Sequence, residues 1–457
     1  MSERYCVIGA GPSGLAAARA LRMNGVEFDV LERHRDVGGI WDLENPGTPM
    51  YESAHFISSR TQSAFAGFPM PGDYPDYPGR TLVLEYIRAF ADQYDLRPSI
   101  QFGTSVERVA FDDGYWKVTL AGGETRRYRG VIAAPGHNWD PVMPAYPGTF
   151  AGRAIHAREY HSGSAFDGKR VLVVGAGNSG CDIACDASTR ASRTFISMRR
   201  GYYFLPKHIF GQPVDAFFRS GPHIPARIAQ PLLTLLLRLL VGDLRRYGVP
   251  KPDHKVLETH PIVNSQLVHA LQHGDVTVKP DIAALEGMRV RFTDGTTEDV
   301  DLIVYATGYR PSMPFLDAGG VDLGADARSL WLNIFARDYE GLFVIGLFET
   351  DGAAYPVVSK QAELVARFLR ARRAAPERYS WLETQRRATS PDMRGGVDYI
   401  ATPRHANYVQ FDEYIHLLES MLRRLGLAER RSLSAAAGAL PAHIAEDRRK
   451  TPAGPGA

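Results

Sequence analysis

The chain has 457 residues, which at about 150 residues per domain predicts about three domains. Its 53 lysines and arginines nearly balance 51 aspartates and glutamates, and the net charge of +2 argues against a protein built to bind nucleic acid or acidic membranes. Hydrophobic residues make up 44% of the chain, so wholesale disorder is excluded. Three cysteines are too few for a secreted disulfide scaffold, and we therefore expect a cytoplasmic protein.

The apolar runs predict neither a targeting segment nor a membrane span. Tyr5–Ile8 is too short for the core of a signal peptide and leads directly into a glycine-rich turn. Ile228–Val241, the most apolar later stretch, contains Pro231 and Arg238 and is too short to cross a bilayer. We therefore expect no integral membrane part.

The chain opens with the pattern strand, turn, helix, strand. The predicted strand Arg4–Ile8 is followed by the turn Gly9-Ala-Gly11-Pro12-Ser13-Gly14, the helix Leu15–Asn24 and the strand Glu27–Leu31. In a GxGxxG turn between a strand and a helix, the first glycine makes the turn, the second lets a pyrophosphate approach the backbone, and the third lets the helix pack close to the strand. The helix N-terminus then faces the phosphates with its free N–H groups. The opening therefore predicts a dinucleotide-binding unit.

The residue that ends the second strand indicates which dinucleotide this unit binds. Glu32 follows Gly9 by 23 residues, and a carboxylate there accepts hydrogen bonds from both hydroxyls of an adenosine ribose and repels a 2′-phosphate. The first unit is therefore predicted to bind FAD or NAD. Gly38-Gly39-Ile40-Trp41 follows closely; its glycines would let the backbone pass near a ligand, with Trp41 as a flat wall, although Trp41 taken alone reads as a core residue.

Between residues 100 and 150 the pattern is that of β-structure. Phe102–Asp112 and Tyr115–Leu120 flank Asp113-Gly114, a strong signal for a hairpin turn. Val131–Ala134 is an apolar run that ends at Pro135-Gly136 and predicts a buried strand.

The order strand, glycine turn, helix, strand returns 166 residues after the first copy. The strand Arg170–Val174 leads into Gly175-Ala-Gly177-Asn178-Ser179-Gly180, the helix Cys181–Ala187 and the strand Thr194–Met198. Here the second strand is followed by Arg199 and Arg200, whose guanidinium groups suit a 2′-phosphate through charge-assisted bidentate bonds. We predict that this unit binds NADPH; arginines on a solvated strand end are the alternative. Two such units indicate a flavoprotein in which NADPH reduces a flavin held by the first unit.

The stretch 202–262 is predicted to be a helical excursion over the cleft between the two units. Leucines within it follow helical spacing and predict a buried face, with a wall of a substrate tunnel or a membrane anchor as alternatives: Leu232, Leu235, Leu236, Leu239 and Leu240. Strands are predicted at Val276–Lys279, Arg289–Phe292, Leu302–Ala306 and Leu342–Ile345, and a helix at Val357–Arg370. Beyond about Glu429 we expect a disordered tail.

Two residue pairs are interpreted as structural. Cys181 and Cys185 lack the spacing of a redox-active disulfide, and we expect small side chains packed between helix and sheet. His269 and His273 lie one helical turn apart, but no carboxylate or third ligand is near in sequence. We therefore expect an exposed helix face there and no metal site.

Three motifs resemble those of the class B flavin monooxygenases. Phe150-Ala-Gly152-Arg-Ala-Ile-His156-Ala-Arg-Glu-Tyr160 resembles the fingerprint of that family, FxGxxxHxxx followed by an aromatic residue. Val304-Tyr-Ala306-Thr307-Gly308-Tyr309 resembles its ATGY link back to the FAD domain, and Pro71–Asp76 resembles the stretch after its flavin loop. The motifs are in register from about residue 4 to about residue 425, and together they are highly specific.

The resemblance implies an α/β fold with two Rossmann-like dinucleotide-binding domains in a glutathione-reductase-like arrangement. The FAD-binding domain would comprise residues 1–149 and 302–428, with an NADPH-binding domain, 150–301, inserted and 429–457 as the tail. The resemblance also implies that NADPH reduces FAD, that dioxygen then gives a C4a-(hydro)peroxyflavin, and that one oxygen atom passes to a small-molecule substrate. A homodimer is the default expectation for the assembly.

Two details imply the branch of the family that oxygenates nitrogen or sulfur. Tyr160 ends the fingerprint where the Baeyer–Villiger branch, which converts ketones to esters, usually has tryptophan. That branch also carries an arginine near the flavin shortly after its GGxW, and Asn45-Pro-Gly-Thr-Pro49 contains none. A Baeyer–Villiger enzyme, an uncoupled NADPH oxidase or other two-nucleotide flavin reductase, and a non-catalytic nucleotide sensor remain as alternatives.

One departure from the family concerns the residue beside the flavin. After the segment Tyr51-Glu-Ser53 the family places an asparagine that falls on Ile57 here, and isoleucine cannot hydrogen-bond a reactive flavin or an amine. Our hypothesis is that Ser58 lies beside the isoalloxazine, with His55 or Thr61 as substitutes if the loop shifts. We interpret His156 of the fingerprint as structural and NADP-orienting, because the flavin reaction needs no side-chain base.

The motifs together define the predicted site. Ile57 and Ser58 are expected to face the flavin, and His156 to belong to the fingerprint. Contacts to FAD and NADPH are predicted for Gly9, Gly11, Pro12, Ser13, Gly14, Glu32, Arg33, Gly39, Ile40, Trp41, Ser58, Thr61, Gln62, Val106, Gly136, Gly175, Gly177, Asn178, Ser179, Gly180, Arg199, Arg200, Thr307 and Gly308.

Overall fold

The computed structural model describes residues 3–221, 226–323 and 329–427, so the tail predicted beyond Glu429 lies outside the described residues. The α-helices within them are α1 (Pro12–Asn24), α2 (Arg80–Gln93), α3 (Asn178–Ser188), α4 (Val214–Arg219), α5 (Ala226–Leu240), α6 (Gln266–His273), α7 (Pro314–Asp317), α8 (Ala354–Ala374), α9 (Pro376–Ala388) and α10 (Phe411–Leu425).

A seven-stranded sheet forms the centre of the first domain. Its strands lie in the order Leu330–Trp331, Phe335–Ala336, Leu342–Val344, Gly130–Ala133, Tyr5–Ile8, Phe28–Leu31, Ile100–Gln101. Tyr5–Ile8, an inner strand of this sheet, is parallel to both of its neighbours, as its uninterrupted apolar sequence predicts. The helices α1 and α8 cover one face of this sheet, and α10 packs on α8.

A three-stranded antiparallel sheet covers the opposite face of the first domain. Its strands are Val106–Asp112, Tyr115–Leu120 and Thr125–Tyr128, with the predicted turn at Asp113-Gly114 between the first two. Trp116 is fully buried between the two sheets, and its indole N–H donates to the Glu340 carbonyl oxygen at 2.9 Å. This layer fixes the strand ends from which the first glycine turn departs.

The second domain is built on a five-stranded parallel sheet with the order Arg153–His156, Leu302–Tyr305, Arg170–Val174, Arg193–Ser197, Val276–Lys279. The helices α3 and α6 pack on one face. The other face packs against an antiparallel sheet, Thr297–Asp299, Arg289–Phe292 and Ile282–Gly287, with Gly148–Phe150 in parallel at its edge. Smaller pairs are Phe204–Leu205 with Ile262–Val263, His208–Ile209 with Gln212–Pro213, Tyr309–Arg310 with Asp140–Pro141, and Glu349–Thr350 with Tyr408–Val409.

The domain boundary predicted at residue 302 is wrong. Leu302–Tyr305 lies in the second sheet, parallel to Arg153–His156 on one side and to Arg170–Val174 on the other. All four residues are buried, because helices and a second sheet cover both faces of this sheet. The chain therefore returns to the first domain only after Tyr305. At the other boundary, Gly148–Phe150 already pairs within the second domain.

The excursion at 202–262 differs from its prediction in two respects. It contains α4, α5 and two short strand pairings rather than helix throughout. The leucines predicted to be buried are mostly exposed, with Leu232, Leu235, Leu239 and Leu240 at 54%, 57%, 76% and 43%. The buried side of α5 is formed by Leu233 and Leu237, because a helix lying on the surface of the excursion hides only one narrow stripe.

Most other elements form where the sequence predicts them, with bounds shifted by a few residues. The helix α1 begins at Pro12 and α3 at Asn178, each inside its glycine turn. In α1, proline at the first helical position costs no hydrogen bond. The helix α8 is longer than predicted at both ends. Among the described residues, no helix combines the length and apolar character needed to cross a bilayer.

Candidate functional site

The two glycine turns have nearly the same geometry. Gly9 and Gly175 lie at the carboxyl ends of central parallel strands with φ of 103° and 104°, a conformation that favours glycine. A β-carbon on Gly14 would lie 1.8 Å from the Gly9 carbonyl oxygen, and one on Gly180 would lie 2.0 Å from that of Gly175. Each turn therefore needs its first and third glycines for the close strand-to-helix packing of a dinucleotide site.

Glu32 lies where the sequence places it, beside the first turn. Its side chain is buried, with the residue 6% exposed, and its two oxygens accept hydrogen bonds from the backbone N–H groups of Ala10 (2.6 Å) and His34 (2.8 Å). Each carboxylate oxygen retains a second lone pair for a ribose hydroxyl. The Thr104 N–H donates to the Glu32 carbonyl oxygen at 2.8 Å. Val106, another predicted contact, follows Thr104 by two residues.

A cradle for a ligand's phosphates forms between the first turn and the Gly38–Gly39 segment. A β-carbon on Gly39 would lie 3.0 Å from the Cα of Gly11, and the Gly38 N–H donates to the Ala10 carbonyl oxygen at 3.3 Å. The backbone can approach a diphosphate here only because both positions lack side chains. The residues present therefore fit FAD at this loop.

The other predicted contacts of the first unit surround this cradle. Pro12 and Ser13 form the first turn of α1, and a β-carbon on Gly346 would lie 2.2 Å from the Ser13 Oγ. Arg33 is exposed, with its Cζ 5.6 Å from the centre of the Trp139 ring. Ile40 is half-buried, and Gly136 adopts a φ of 75° with open space around it.

Aromatic side chains form the wall next to this cradle. Trp41 is buried and meets Phe56 edge-on at 4.9 Å between ring centres, and Phe56 meets Tyr355, at the start of α8, at 5.4 Å. Burial raises the pKa of Tyr355 far above its ordinary value, so its hydroxyl stays protonated. The wall is therefore apolar and excludes water from one side of the loop.

The predicted flavin loop places Ile57 and Ser58 together, both half-buried. The Ser58 Oγ lies 2.7 Å from the Ser63 Oγ, and the Thr61 Oγ1 lies 3.1 Å from the Ser59 Oγ. No cofactor contact of Ile57 or Ser58 follows from these distances, and the assignment stays a prediction.

The helix α4 of the excursion docks on this flavin loop. Asp215 accepts a hydrogen bond from the Ser59 N–H at 2.7 Å, and the Arg219 guanidinium donates to Gln62 Oε1 at 3.0 Å. The Arg219 Cζ lies 3.7 Å from the centre of the Phe411 ring at the start of α10. The excursion thus covers the loop through two charged residues that no sequence motif indicates.

The second glycine turn carries the positive charge that its sequence predicts. Arg199 is exposed two residues after the strand Arg193–Ser197, and Arg200 is half-buried with its Nη2 3.7 Å from Asp253 Oδ2. Gly177 is the N-cap of α3, and a β-carbon there would lie 3.8 Å from the Arg404 Nη1. The glycine, the free helix N-terminus and the arginines fit NADPH at this turn.

The side chains of the second turn also hold neighbouring segments. Asn178 donates from Nδ2 to the Pro261 carbonyl oxygen and accepts at Oδ1 from the Val263 N–H, each at 3.0 Å. Ser179 is the second residue of α3, and the Tyr51 hydroxyl donates to Asp182 on the same helix at 2.9 Å. Asn178 therefore joins the turn to the excursion, and Asp182 joins α3 to the flavin domain.

His156 occupies a structural position in the fingerprint. It is 1% exposed, its Nδ1 accepts from the Arg158 N–H at 3.1 Å, and its own N–H donates to Glu159 at 3.0 Å, which closes a capping box around Ala157–Glu159. Burial lowers its pKa, so the ring is neutral near pH 7. Its ring meets Tyr309, which follows Thr307 and Gly308, edge-on at 5.1 Å.

Thr307 and Gly308 connect the end of the second sheet to the strand Asp140–Pro141. The Thr307 hydroxyl donates to the Val142 carbonyl oxygen at 2.5 Å, and the Val142 N–H donates to the Gly308 carbonyl oxygen at 3.0 Å. Both residues therefore act at the return of the chain to the first domain.

The rest of the fingerprint clamps the two domains together. Tyr160 donates its hydroxyl hydrogen bond to Asp186 of α3 at 2.8 Å and packs on Tyr51 at 5.5 Å between ring centres. Arg158 donates from Nε to the Gly47 carbonyl oxygen at 3.1 Å. The sequence analysis found no arginine within residues 45–49. In the structure, Arg158 of the fingerprint contacts this segment from a distant part of the chain.

A half-buried group of polar side chains between the flavin loop and α3 was missed by the sequence analysis. The Lys207 Nζ donates to His55 Nε2 at 2.6 Å, while His55 Nδ1 donates to the Ser53 carbonyl oxygen at 3.2 Å. Asp182 accepts from Tyr51 (2.9 Å), and burial raises the pKa of Asp182 and lowers that of Lys207. His55 thus faces the second domain, and no motif links residues so far apart.

A second polar group was also missed, at the ends of two strands of the first domain. The Glu349 carboxylate lies 3.6 Å from His137 Nε2, 3.7 Å from His260 Nδ1 and 3.6 Å from Arg404 Nη2. Burial opposes ionisation of Glu349, but Arg404 and the two histidines hold its pKa below its usual range. His137 directly follows Gly136, one of the predicted contacts.

Comparison with known proteins identifies relatives of this architecture. A model of the family described as flavin-binding monooxygenase-like matches residues 2–427. Dimethylaniline monooxygenase (N-oxide-forming) 2 of Rattus norvegicus is 35% identical over 393 residues, which cover 80% of this chain and 73% of that protein.

Solved structures show the same fold. A flavin-containing monooxygenase from Stenotrophomonas maltophilia is 24% identical with a TM-score of 0.62, over 81% of this chain and 99% of that one. Cyclohexanone monooxygenase bound to cyclohexanone is 18% identical with a TM-score of 0.68, over 94% of this chain and 99% of that one. The family shares the two Rossmann-like domains and uses FAD and NADPH.

Proposed function

Because the chain belongs to the flavin-binding monooxygenase-like family, we propose that it is an FAD- and NADPH-dependent monooxygenase that oxygenates a nitrogen or sulfur atom of a small molecule. The reaction would consume one NADPH, one proton and one dioxygen, and release NADP⁺, one water and the substrate bearing one oxygen atom. When bound, FAD supplies the redox chemistry that couples the oxidation of NADPH to the reduction of dioxygen.

The observation that carries this proposal is the pair of glycine turns with opposite charge. The first turn has the buried carboxylate of Glu32 beside it and would hold FAD, with Gly11 and Gly39 against the diphosphate. The second has Arg199 and Arg200 after its strand and would hold NADPH. This charge difference supports a transfer of reducing equivalents from the second domain to the first.

The residues between the two turns would keep the reaction dry and the domains aligned. Trp41, Phe56 and Tyr355 form an apolar wall beside the first turn, and α4 covers the flavin loop. The hydrogen bond from the Tyr51 hydroxyl to Asp182 fixes α3 against the flavin domain. Positioning and exclusion of water are the protein's usual contributions to cofactor chemistry of this kind.

Oxygenation of a heteroatom is favoured by the likeness to a protein named as a dimethylaniline N-oxide-forming enzyme and by tyrosine at residue 160. The test is aerobic turnover of FAD-loaded protein with NADPH and three substrates in parallel: a tertiary amine, a thioether and a cyclic ketone. We expect an N-oxide or S-oxide by mass spectrometry. Absence of any oxygenated product from all three, with NADPH fully converted into hydrogen peroxide, would contradict the proposal.

A Baeyer–Villiger activity is the second candidate, and Arg158 is the observation that favours it. Its guanidinium reaches Gly47, in the segment where the sequence contains no arginine of its own. In the same experiment, formation of a lactone from the cyclic ketone, with no oxide of the amine or thioether, would establish this second candidate instead.

A further inference from the structure

The two dinucleotide units differ in what faces their second glycine. A β-carbon on Gly11 would lie 3.4 Å from the Cα and 3.9 Å from the N of Gly39, so backbone faces the first turn. At Gly177, the neighbour within 4 Å of such a β-carbon is the Arg404 Nη1, at 3.8 Å. Since the second glycine is where the backbone approaches a diphosphate, the Arg404 guanidinium lies beside the place where the second diphosphate would bind.

Arg404 belongs to a cluster of positive charge around the second turn. It comes from the single turn Pro403–His405, 227 residues after Gly177. Burial raises the pKa of Tyr202, and the positive charges of Arg200, Arg199 and Arg404 all oppose this rise. Three guanidinium groups from two separate parts of the chain therefore lie near one phenol, which suits a ligand with more than one phosphate.

The contacts of Arg404 orient the guanidinium without saturating it. The Nη2–Oε2 distance to Glu349 is 3.6 Å, which is longer than a charge-assisted hydrogen bond, and the side chain is 46% exposed. Glu349 is itself fixed by His137 and His260. The fork of Arg404 therefore keeps donors free for phosphate oxygens while a fixed carboxylate holds the side chain at the turn.

We infer that Arg404 binds the diphosphate of the NADPH held by the second glycine turn, and that Glu349 positions Arg404 for this contact. The inference rests on the proposed function, which assigns NADPH to this turn. Because residue 404 lies between α9 and α10 of the FAD domain, the diphosphate would be bound by both domains at once. In the first unit, by contrast, the equivalent contact would come from the backbone at Gly39.

The test separates the diphosphate from the 2′-phosphate by titrating three nucleotides into the FAD-loaded protein in a calorimeter. NADP⁺ has both groups, NAD⁺ has only the diphosphate, and adenosine 2′-monophosphate has only the 2′-phosphate. For Arg404→Met we expect the Kd of NADP⁺ and of NAD⁺ to rise about tenfold, with that of adenosine 2′-monophosphate within about twofold of wild type. Arg404→Lys keeps the charge but loses the fork, and should show a smaller rise for the same two nucleotides.

Arg199→Met is the matched control. It should raise the Kd of NADP⁺ and adenosine 2′-monophosphate about tenfold and leave NAD⁺ within about twofold. Flavin absorbance and circular dichroism check that each variant is folded. If Arg404→Met does not fold, the nucleotide affinities of Arg404→Lys decide the test.

The inference is overturned if the Arg404 variants bind NADP⁺ like wild type, or if they weaken adenosine 2′-monophosphate as much as NAD⁺. If the Arg199 control behaves as expected while the Arg404 variants do not differ from wild type, only the inference fails. If wild-type protein binds none of the three nucleotides, the proposed function fails with it.

Discussion

Ile57 is predicted to occupy the position at which the class B flavin monooxygenases have an asparagine beside the flavin. The neighbouring Ser58 carries a hydroxyl 2.7 Å from that of Ser63. If Ser58 supplies the polar contact to the flavin, Ser58→Ala should increase hydrogen peroxide formed per NADPH by about fivefold, the equivalent of one lost hydrogen bond of about 1 kcal/mol. Ile57→Asn should decrease it, since it restores a donor at the family's position.

Peroxide and NADPH are measured together in air without substrate. Ser63→Ala, which removes the partner hydroxyl but not Ser58 itself, is the control and should have the smaller effect. If Ser58→Ala and Ile57→Asn both leave the peroxide yield unchanged, the flavin lies against another part of the 55–63 segment.

Single residues could be predicted from the sequence only where a motif fixes their position. Glu32 lies beside the first glycine turn and Arg199 follows its strand exposed, as counting from each turn predicts. Arg404 and Lys207 could not be found this way, because each reaches its partner across more than 150 residues. Arg158 lay in a motif, but only the fold shows that it reaches Gly47.

At the scale of elements, α5 has one buried stripe and a broad exposed face. Leu237 is 5% exposed and Leu239 is 76% exposed, two residues apart on the same helix. We expect Leu237→Ala to lower the free energy of unfolding by about 2 to 4 kcal/mol, because it leaves a cavity. Leu239→Ala should change it by less than about 0.5 kcal/mol. Chemical denaturation of the two variants compares them directly; equal losses would mean that the exposed face is covered in solution.

The docking of α4 on the flavin loop gives a second prediction at this scale. Arg219→Ala removes the hydrogen bond to Gln62 and the contact with the Phe411 ring. We expect faster proteolytic cleavage between residues 202 and 262 and a severalfold rise in peroxide per NADPH, since water would reach the loop more readily. Arg238→Ala, on the exposed side of α5, is the control. Unchanged cleavage and peroxide for Arg219→Ala would show that α4 does not protect the loop.

The elements themselves were largely predictable, because buried parallel strands and glycine turns have strong local signals. Leu302–Tyr305 was predicted as a strand but assigned to the wrong domain, since four apolar residues fit either parallel sheet equally well. The exposed face of α5 was misjudged because helical periodicity shows that a stripe exists and not which stripe is buried.

At the scale of the whole molecule, His260 and His405 join the excursion to the C-terminal part of the first domain. Burial, reinforced by the nearby Arg404, lowers the pKa of His260 to about 3 and that of His405 to about 4. Glu349 also faces both rings, and Tyr408 packs on them. Because the unfolded chain binds protons to these histidines near pH 6.5 and the folded chain does not, stability should fall as the pH drops from about 6.5 toward 4.

His260 and His405 should each lower the free energy of unfolding by roughly 2 kcal/mol at pH 5 relative to pH 7.5. The raised pKa of His137, next to Glu349, acts in the opposite direction and reduces the sum. Denaturation at the two pH values should therefore show a smaller loss for His260→Asn than for wild type. The exposed variant His273→Asn should keep the wild-type loss, and an unchanged loss in His260→Asn would contradict the assignment.

The relative arrangement of the domains was predictable only as a family resemblance. The sequence indicates two dinucleotide units and the fingerprint between them. The clamp itself, made of Tyr160 with Tyr51 and Arg158 with Gly47, depends on side chains brought together by the packing of both domains. No pattern of spacing in one sequence contains that information.

The central claim is that one chain transfers electrons from NADPH to dioxygen and inserts one oxygen atom into a substrate. The most direct test is a single turnover of FAD-loaded protein, reduced by one equivalent of NADPH without air and then mixed with oxygen-18 gas and a tertiary amine or thioether. The account predicts one labelled oxygen atom in the organic product, up to one product per NADPH, and the second label in water. Recovery of both labelled atoms as hydrogen peroxide, with no labelled organic product from either substrate, would contradict it.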